Sequence, residues 1–198
     1  MTLEQFRPFA ANLLRPLARL CIRAGLTPNG ISVVAFLASV AAGFAFFSGN
    51  VPAATALVAV NALFDALDGV MAREMELAST RGDFLDHVLD RYADIFIITG
   101  IFAGGAAPWY LGVFGLTGVL MSSYLGTQAQ AVGVGRYYGG TLGRADRLIL
   151  IMVAGLLTIL VPAGLAGVTF LGWLLAVFGF FGHATAIQRF FYVWGKIS

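Results

Sequence analysis

The chain has 198 residues, 59% hydrophobic and 11% charged, with a formal net charge of +2. A soluble domain carries about 25% charged residues, so this composition excludes a water-soluble globule and points to an integral membrane protein. One cysteine, Cys21, excludes a disulfide framework within the chain.

At the start, apolar residues recur at helical spacing: Leu3, Phe6, Ala10, Leu13, Leu14, Leu17, Leu20 and Cys21. Pro8 and Pro16 interrupt the pattern, and Arg7, Arg15, Arg19 and Arg23 flank it. No cleavable signal peptide is read here, because arginines are spread among the leucines with no compact apolar core. The pattern predicts an amphipathic helix within residues 1–28, lying on the cytoplasmic membrane surface. An anchoring helix with no part in chemistry is the alternative.

A spanning helix needs about 20 mostly apolar residues. Six stretches suit one: 31–48, 52–72, 83–104, 108–132, 146–162 and 166–193. The expected fold is all-α: a single membrane domain over 1–198, with a six-helix bundle over 31–193. The first span opens on "LTPNGIS", where Pro28 suits a helix start and Thr27 or Asn29 an N-cap. The first-to-second, third-to-fourth and fifth-to-sixth connections carry no charge. Basic residues gather in the other connections and at the termini: Arg73 and Arg81, then Arg136, Arg144 and Arg147, then Arg189 and Lys196. The positive-inside rule places both termini and this charged face in the cytoplasm.

Eight of the ten acidic residues fall between 65 and 94. Asp65 and Asp68 are three apart near the end of the second span, so they share a helix face. Asp83, Asp86, Asp90 and Asp94 fall in one stripe at about 100° per residue. The connector is short, so the two helices are expected to be antiparallel neighbours with converging carboxylates. Charges inside a bilayer cost several kcal/mol each unless paired or solvated. Hard divalent cations would neutralise them, and no His or Cys cluster suggests a softer metal. A pair of metals about 3.5–4 Å apart would suit displacement at phosphorus. Two other readings stay open on the residues alone. The carboxylates could form the ion or proton pathway of a transporter, or a salt-bridge network with Arg73, Arg81 and Arg91.

The spacing reads D65-x2-D68-G69-x2-A72-R73-x8-G82-x3-D86-x3-D90. It resembles the signature of the CDP-alcohol phosphotransferase family, with all eight defined positions filled over 26 residues. The resemblance implies transfer of a lipid phosphate from a CDP-linked lipid, CDP-diacylglycerol or CDP-archaeol, to the hydroxyl of a small polar acceptor. CMP is released, and two divalent ions, Mg²⁺ or Mn²⁺, serve as cofactors. Phospholipid biosynthesis in the cell membrane, a homodimer and no nucleic-acid partner follow from the same resemblance. A catalytically silent scaffold would be expected to lose motif positions, and none is lost.

Carried onto this chain, the resemblance makes Asp65, Asp68 and Asp86 metal ligands. Asp90 becomes a ligand and the general base. Gly69, Ala72, Arg73 and Gly82 would line the nucleotide site, with Asn29 and Ser32 as further donor contacts. Asp83 is read as a cap or solvated residue. Asp94 is read as a hydrogen-bond partner of neighbours such as Arg91 or Tyr92 rather than a ligand.

The short six-span form resembles the phosphatidylinositol-phosphate and archaetidylinositol-phosphate synthases of the family. "GRADR", 143–147, is similar to their "ERxER" segment. Arg147 and Arg189 would then bind the acceptor's phosphate. Those enzymes carry a Lys and an Arg in a "SYxKAR" pattern where this chain has Gly126 and Gln128 in "SSYLGTQAQ". The acceptor is therefore read as a polyol phosphate, either inositol phosphate or glycerol phosphate, with Arg136 as a replacement charge in the first case. Gly100 and Gly104 form a GxxxG pattern that suits close helix packing.

Overall fold

The computed structural model describes residues 7–77, 79–135 and 143–197. Seven helices follow in order: α1 Arg7–Arg23, α2 Pro28–Phe47, α3 Val51–Glu74, α4 Thr80–Ala103, α5 Trp109–Ala131, α6 Arg144–Leu160 and α7 Phe170–Trp194. Each of the six expected spans is a helix, with ends shifted by a few residues. Three of them, α2, α3 and α7, are long and apolar enough to cross a membrane on length and composition. Arg136 lies outside the described residues.

Local chemistry fixes the helix starts. Thr27, not Asn29, caps α2, its hydroxyl accepting from Gly30 N at 3.2 Å, and Pro28 takes the first turn, where its missing N–H costs nothing. Asn50, Ser79 and Thr169 cap α3, α4 and α7 in the same way. The first turn of α6 is tied by Asp146, whose carboxylate accepts from Gly143 N at 2.8 Å. α1 runs through Pro16, so proline does not interrupt that helix as its spacing suggested.

The short connector between α3 and α4 does not make them packed neighbours. α2 packs along both, while α3 and α4 do not pack directly against each other. The physical reason lies in two glycines. Gly43 of α2 and Gly100 of α4 meet backbone to backbone: a methyl group on Gly100 would overlap the Gly43 carbonyl. Farther along, Gly104 meets the Phe46 carbonyl. The GxxxG pair is thus spent inside the chain, on α2. A similar contact of Gly118 with Gly182 brings α5 against α7.

The main core lies away from the carboxylates, with Phe46, Val58, Ile97, Ile101, Leu175 and Phe178 buried together. A smaller apolar cluster seats α1: Ala18 is fully buried beside Ile31, Leu67, Val70 and Met71 of α2 and α3. Many large apolar side chains face outward, among them Leu37, Phe44, Leu156, Leu160, Phe180 and Phe191. In water they would be a liability; against lipid they are the expected surface.

The two ends of the bundle differ. At one end the turns 48–50, 104–108 and 161–169 are uncharged, and Thr169 Oγ1 donates to the Ala106 carbonyl. At the other end stand the carboxylates of α3 and α4 and the arginines of α6. Here Glu74 also meets Arg15 and Arg19 of α1 at 3.2 and 3.3 Å.

Candidate active site

α3 and α4 do not pack on each other, and carboxylates from both meet across the gap between their polar ends, a cleft that Arg144 also enters. One oxygen from each of Asp65, Asp68 and Asp86 lies within 4.8 Å of the others. Asp68 is buried, and Ser32 Oγ of α2 donates to its Oδ2 at 2.5 Å. Ser32 therefore fixes a carboxylate from behind, a contact that its reading as a donor residue did not include. The donor set is oxygen only, which suits a hard divalent ion. These three residues could hold one metal ion.

Asp90 stands outside that trio. Its partner is Arg144 of α6, whose Nη1 also contacts Asp65 across the cleft. A guanidinium thus already stands as a cation between the two acid-bearing helices, a further sign that this place suits positive charge. Arg91 lies 3.9 Å from Asp90. One turn deeper, Asp94 takes two arginines at 2.9 Å each, Arg91 from its own helix and Arg147 from α6. Arg147 and Asp94 are 6% and 5% exposed. This is a buried, paired structure, and Asp94 is an interhelical partner as expected, with Arg147 added to Arg91. Asp83, by contrast, is exposed in the first turn of α4, 3.6 Å from His87 Nδ1.

The other expected residues form two groups. Asn29 and Gly82 adjoin at the mouth: a methyl group on Gly82 would lie 3.4 Å from Asn29 Oδ1. On α3 the Arg73 guanidinium lies over Gly69, 3.8 Å from where a Cβ would be, with half-buried Ala72 beside them. Between α7 and α5, Arg189 Nη1 donates to the Ser122 carbonyl at 2.5 Å. Ser122 and Thr185 line a small cavity with Arg147, whose Nε has no hydrogen-bond partner. Arg189 thus contacts Ser122 and Arg147 lines the cavity beside it, while holding Asp94 in a buried ion pair. Gly126 is buried on α5 and Gln128 exposed.

Sequence reading missed Arg144 as a partner of the carboxylates. The one signal available was its position three residues before Arg147, which puts both guanidinium groups on one face of α6.

The sequence model of the CDP-alcohol phosphatidyltransferase family matches residues 25–182. Archaetidylinositol phosphate synthase of Pyrococcus horikoshii is 34% identical over 172 residues, 87% of this chain and 91% of that protein. Phosphatidylinositol phosphate synthase of Mycobacterium tuberculosis, in a crystal structure with CDP-DAG bound, superposes with a TM-score of 0.80 at 28% identity, covering 92% of this chain and 94% of that one. A second structure of that enzyme, with manganese and citrate, gives 0.80 at 28% identity over 91% and 88%. A match over most of the length, together with three helices long and apolar enough to cross a membrane, places this chain in the CDP-alcohol phosphatidyltransferase family, as a membrane-bound transferase.

Proposed function

We propose that the protein transfers a lipid phosphate from a CDP-linked lipid to the hydroxyl of a polyol phosphate and releases CMP, as a step of phospholipid synthesis. The observation that carries this reading is the meeting of Asp65, Asp68 and Asp86 within 4.8 Å at one end of the bundle. A transporter would need acidic groups through the depth of the bilayer; here they gather at one end.

Two divalent ions, Mg²⁺ or Mn²⁺, would neutralise the donor's pyrophosphate and the departing CMP. Asp65, Asp68 and Asp86 would be their ligands, and Asp90 would help to hold one of them. Asn29, Ser32, Gly69, Ala72, Arg73 and Gly82 form the donor side. Gly69 leaves room beside the α3 backbone for the nucleotide, and Arg73 offers it a guanidinium. Asp90 takes the proton from the acceptor hydroxyl. The hydroxyl oxygen bonds to the lipid-bearing phosphorus, and the bond from that phosphorus to the CMP oxygen breaks. The one serine described against these carboxylates, Ser32, is tied to Asp68 and given to the donor side, so the displacement is read as direct.

Arg147 and Arg189, with Arg136, take the acceptor's phosphate by charge-assisted hydrogen bonds. The relatives named above favour inositol phosphate. Gly126 and Gln128, standing where such enzymes carry positive charge, favour glycerol phosphate. All six helices α2–α7 span the membrane in this reading, as one domain over 1–198, and α1 lies on the cytoplasmic surface. Both termini and the site face the cytoplasm. The homodimer expected from the resemblance belongs to the same proposal.

The test is CMP release by purified protein, with CDP-diacylglycerol or CDP-archaeol and Mg²⁺ or Mn²⁺. The acceptors are inositol 1-phosphate, glycerol 3-phosphate, glycerol 1-phosphate, serine and inositol. Metal-dependent release with one phosphorylated polyol is expected. Release with serine or free inositol alone would refute the assignment of the arginines. No release with any pair, from folded protein, would refute the transferase reading.

A further inference from the structure

We propose that Arg144 is a built-in counter-cation, which ties Asp65 to Asp90 across the cleft until divalent ions displace it. The inference rests on the reading of the cleft as a metal centre and assigns a role to a residue that reading leaves unused.

Three observations carry it. First, α3 and α4 do not pack directly on each other, so repulsion between their carboxylates is not opposed by contact between these two helices. Arg144 of α6 supplies the link, meeting one carboxylate from each. Second, the charges leave room for replacement. Asp65, Asp68, Asp86 and Asp90 bring four negative charges to the cleft when ionised, and Arg144 brings one positive charge. Two divalent ions would balance all four carboxylates and leave the guanidinium with none to serve. Third, Arg144 lies nearer the surface than its deeper neighbour. Nε lacks a hydrogen-bond partner in both Arg144 and Arg147, but the Arg144 side chain keeps 15% exposure. The Arg147–Asp94 pair one layer down has side-chain exposures of 7% and 6% and a second arginine on the same carboxylate. That pair is the more deeply buried and carries a second arginine, whereas Arg144 is the more exposed guanidinium.

A single guanidinium and a divalent ion compete for the same oxygens, so removing the first strengthens binding of the second. Displaced from the carboxylates, Arg144 stands at the mouth of the cleft as a free donor for a phosphate oxygen.

The experiment measures Mn²⁺ binding, by electron paramagnetic resonance of the free ion, and thermal melting in detergent with EDTA or saturating Mn²⁺. Wild type, Arg144→Gln and Arg147→Gln are compared. Arg144→Gln is expected to bind Mn²⁺ at least threefold tighter than wild type. It should melt lower than wild type in EDTA and recover to the wild-type value in Mn²⁺. Arg147→Gln should melt lower in both. Unchanged or weaker Mn²⁺ binding by Arg144→Gln overturns the proposal, as does a deficit that persists in Mn²⁺. Should Arg144→Gln not fold, Arg144→Lys keeps the charge but loses the reach across the cleft. It too should bind Mn²⁺ more tightly, and wild-type affinity would overturn the proposal. Wild-type protein that binds no Mn²⁺ would overturn the metal reading along with this one; binding that ignores Arg144 would overturn this one alone.

Discussion

Asp90→Asn keeps the shape of the side chain and removes its basicity. If Asp90 is the base, turnover falls by about 10²–10⁴-fold, while Asp65, Asp68 and Asp86 still bind Mn²⁺. Single-turnover CMP release and metal binding on the same sample check both parts. Asp94→Asn acts differently, because it leaves the buried Arg147 without its carboxylate and the half-buried Arg91 with Asp90 alone, 3.9 Å away. Breaking such a pair from one side costs about 3–5 kcal/mol, so the melt in detergent drops sharply. What survives should show a raised KM for the phosphorylated acceptor and an unchanged KM for the CDP-lipid. The carboxylates were legible in the sequence because their geometry is local: a spacing of three or four on a helix is a face. Arg144 was not, because it lies 79 residues from Asp65 and no periodicity links them. The pairing of Ser32 with Asp68, 36 residues apart, was hidden for the same reason.

Among the elements, α2 has the largest structural duty. It separates α3 from α4, and its crossing with α4 depends on Gly43 and Gly100. Gly100→Leu would force the two backbones apart. A cost of about 1–3 kcal/mol or more is expected from overpacking, seen as a lower melting temperature. Activity should fall further than stability does, because α4 carries Asp86 and Asp90. The expectation that α3 and α4 are packed neighbours came from a short connector. A short connector limits the distance between helix ends, but it does not prevent a third helix from occupying the groove between them. The seat of α1 is apolar. Its two ion pairs with Glu74 involve arginines that are mostly exposed, and such pairs contribute about 0–1 kcal/mol. Glu74→Gln should leave the melt nearly unchanged. Ala18→Glu, at a fully buried position, should release α1, seen as faster proteolysis before residue 25.

For the molecule as a whole, the expected topology is testable with single cysteines in a Cys21→Ser background. Ser48 and Leu77 are exposed at opposite ends of the bundle. A membrane-impermeant maleimide should label Ser48→Cys in intact cells and Leu77→Cys only after permeabilisation. The reverse pattern would invert the proposed orientation. The helices were legible at this scale because apolar runs and capping residues are local signals. Composition alone marks α2, α3 and α7 as spans, because α4 carries four aspartates and α6 is 17 residues long.

The uncharged end of the bundle bears on how the protein enters its membrane. Helices α2 and α3, α4 and α5, and α6 and α7 form three successive hairpins, and their tips are 48–50, 104–108 and 161–169. None of these tips contains Asp, Glu, Lys or Arg. Carrying a charge through hydrocarbon costs several kcal/mol or more, and each hairpin can cross tip first without doing so. In the proposed orientation, the carboxylates of the cleft would stay on the side on which they are made. Placing a single arginine in the 104–108 turn should therefore slow membrane insertion while leaving the cleft untouched.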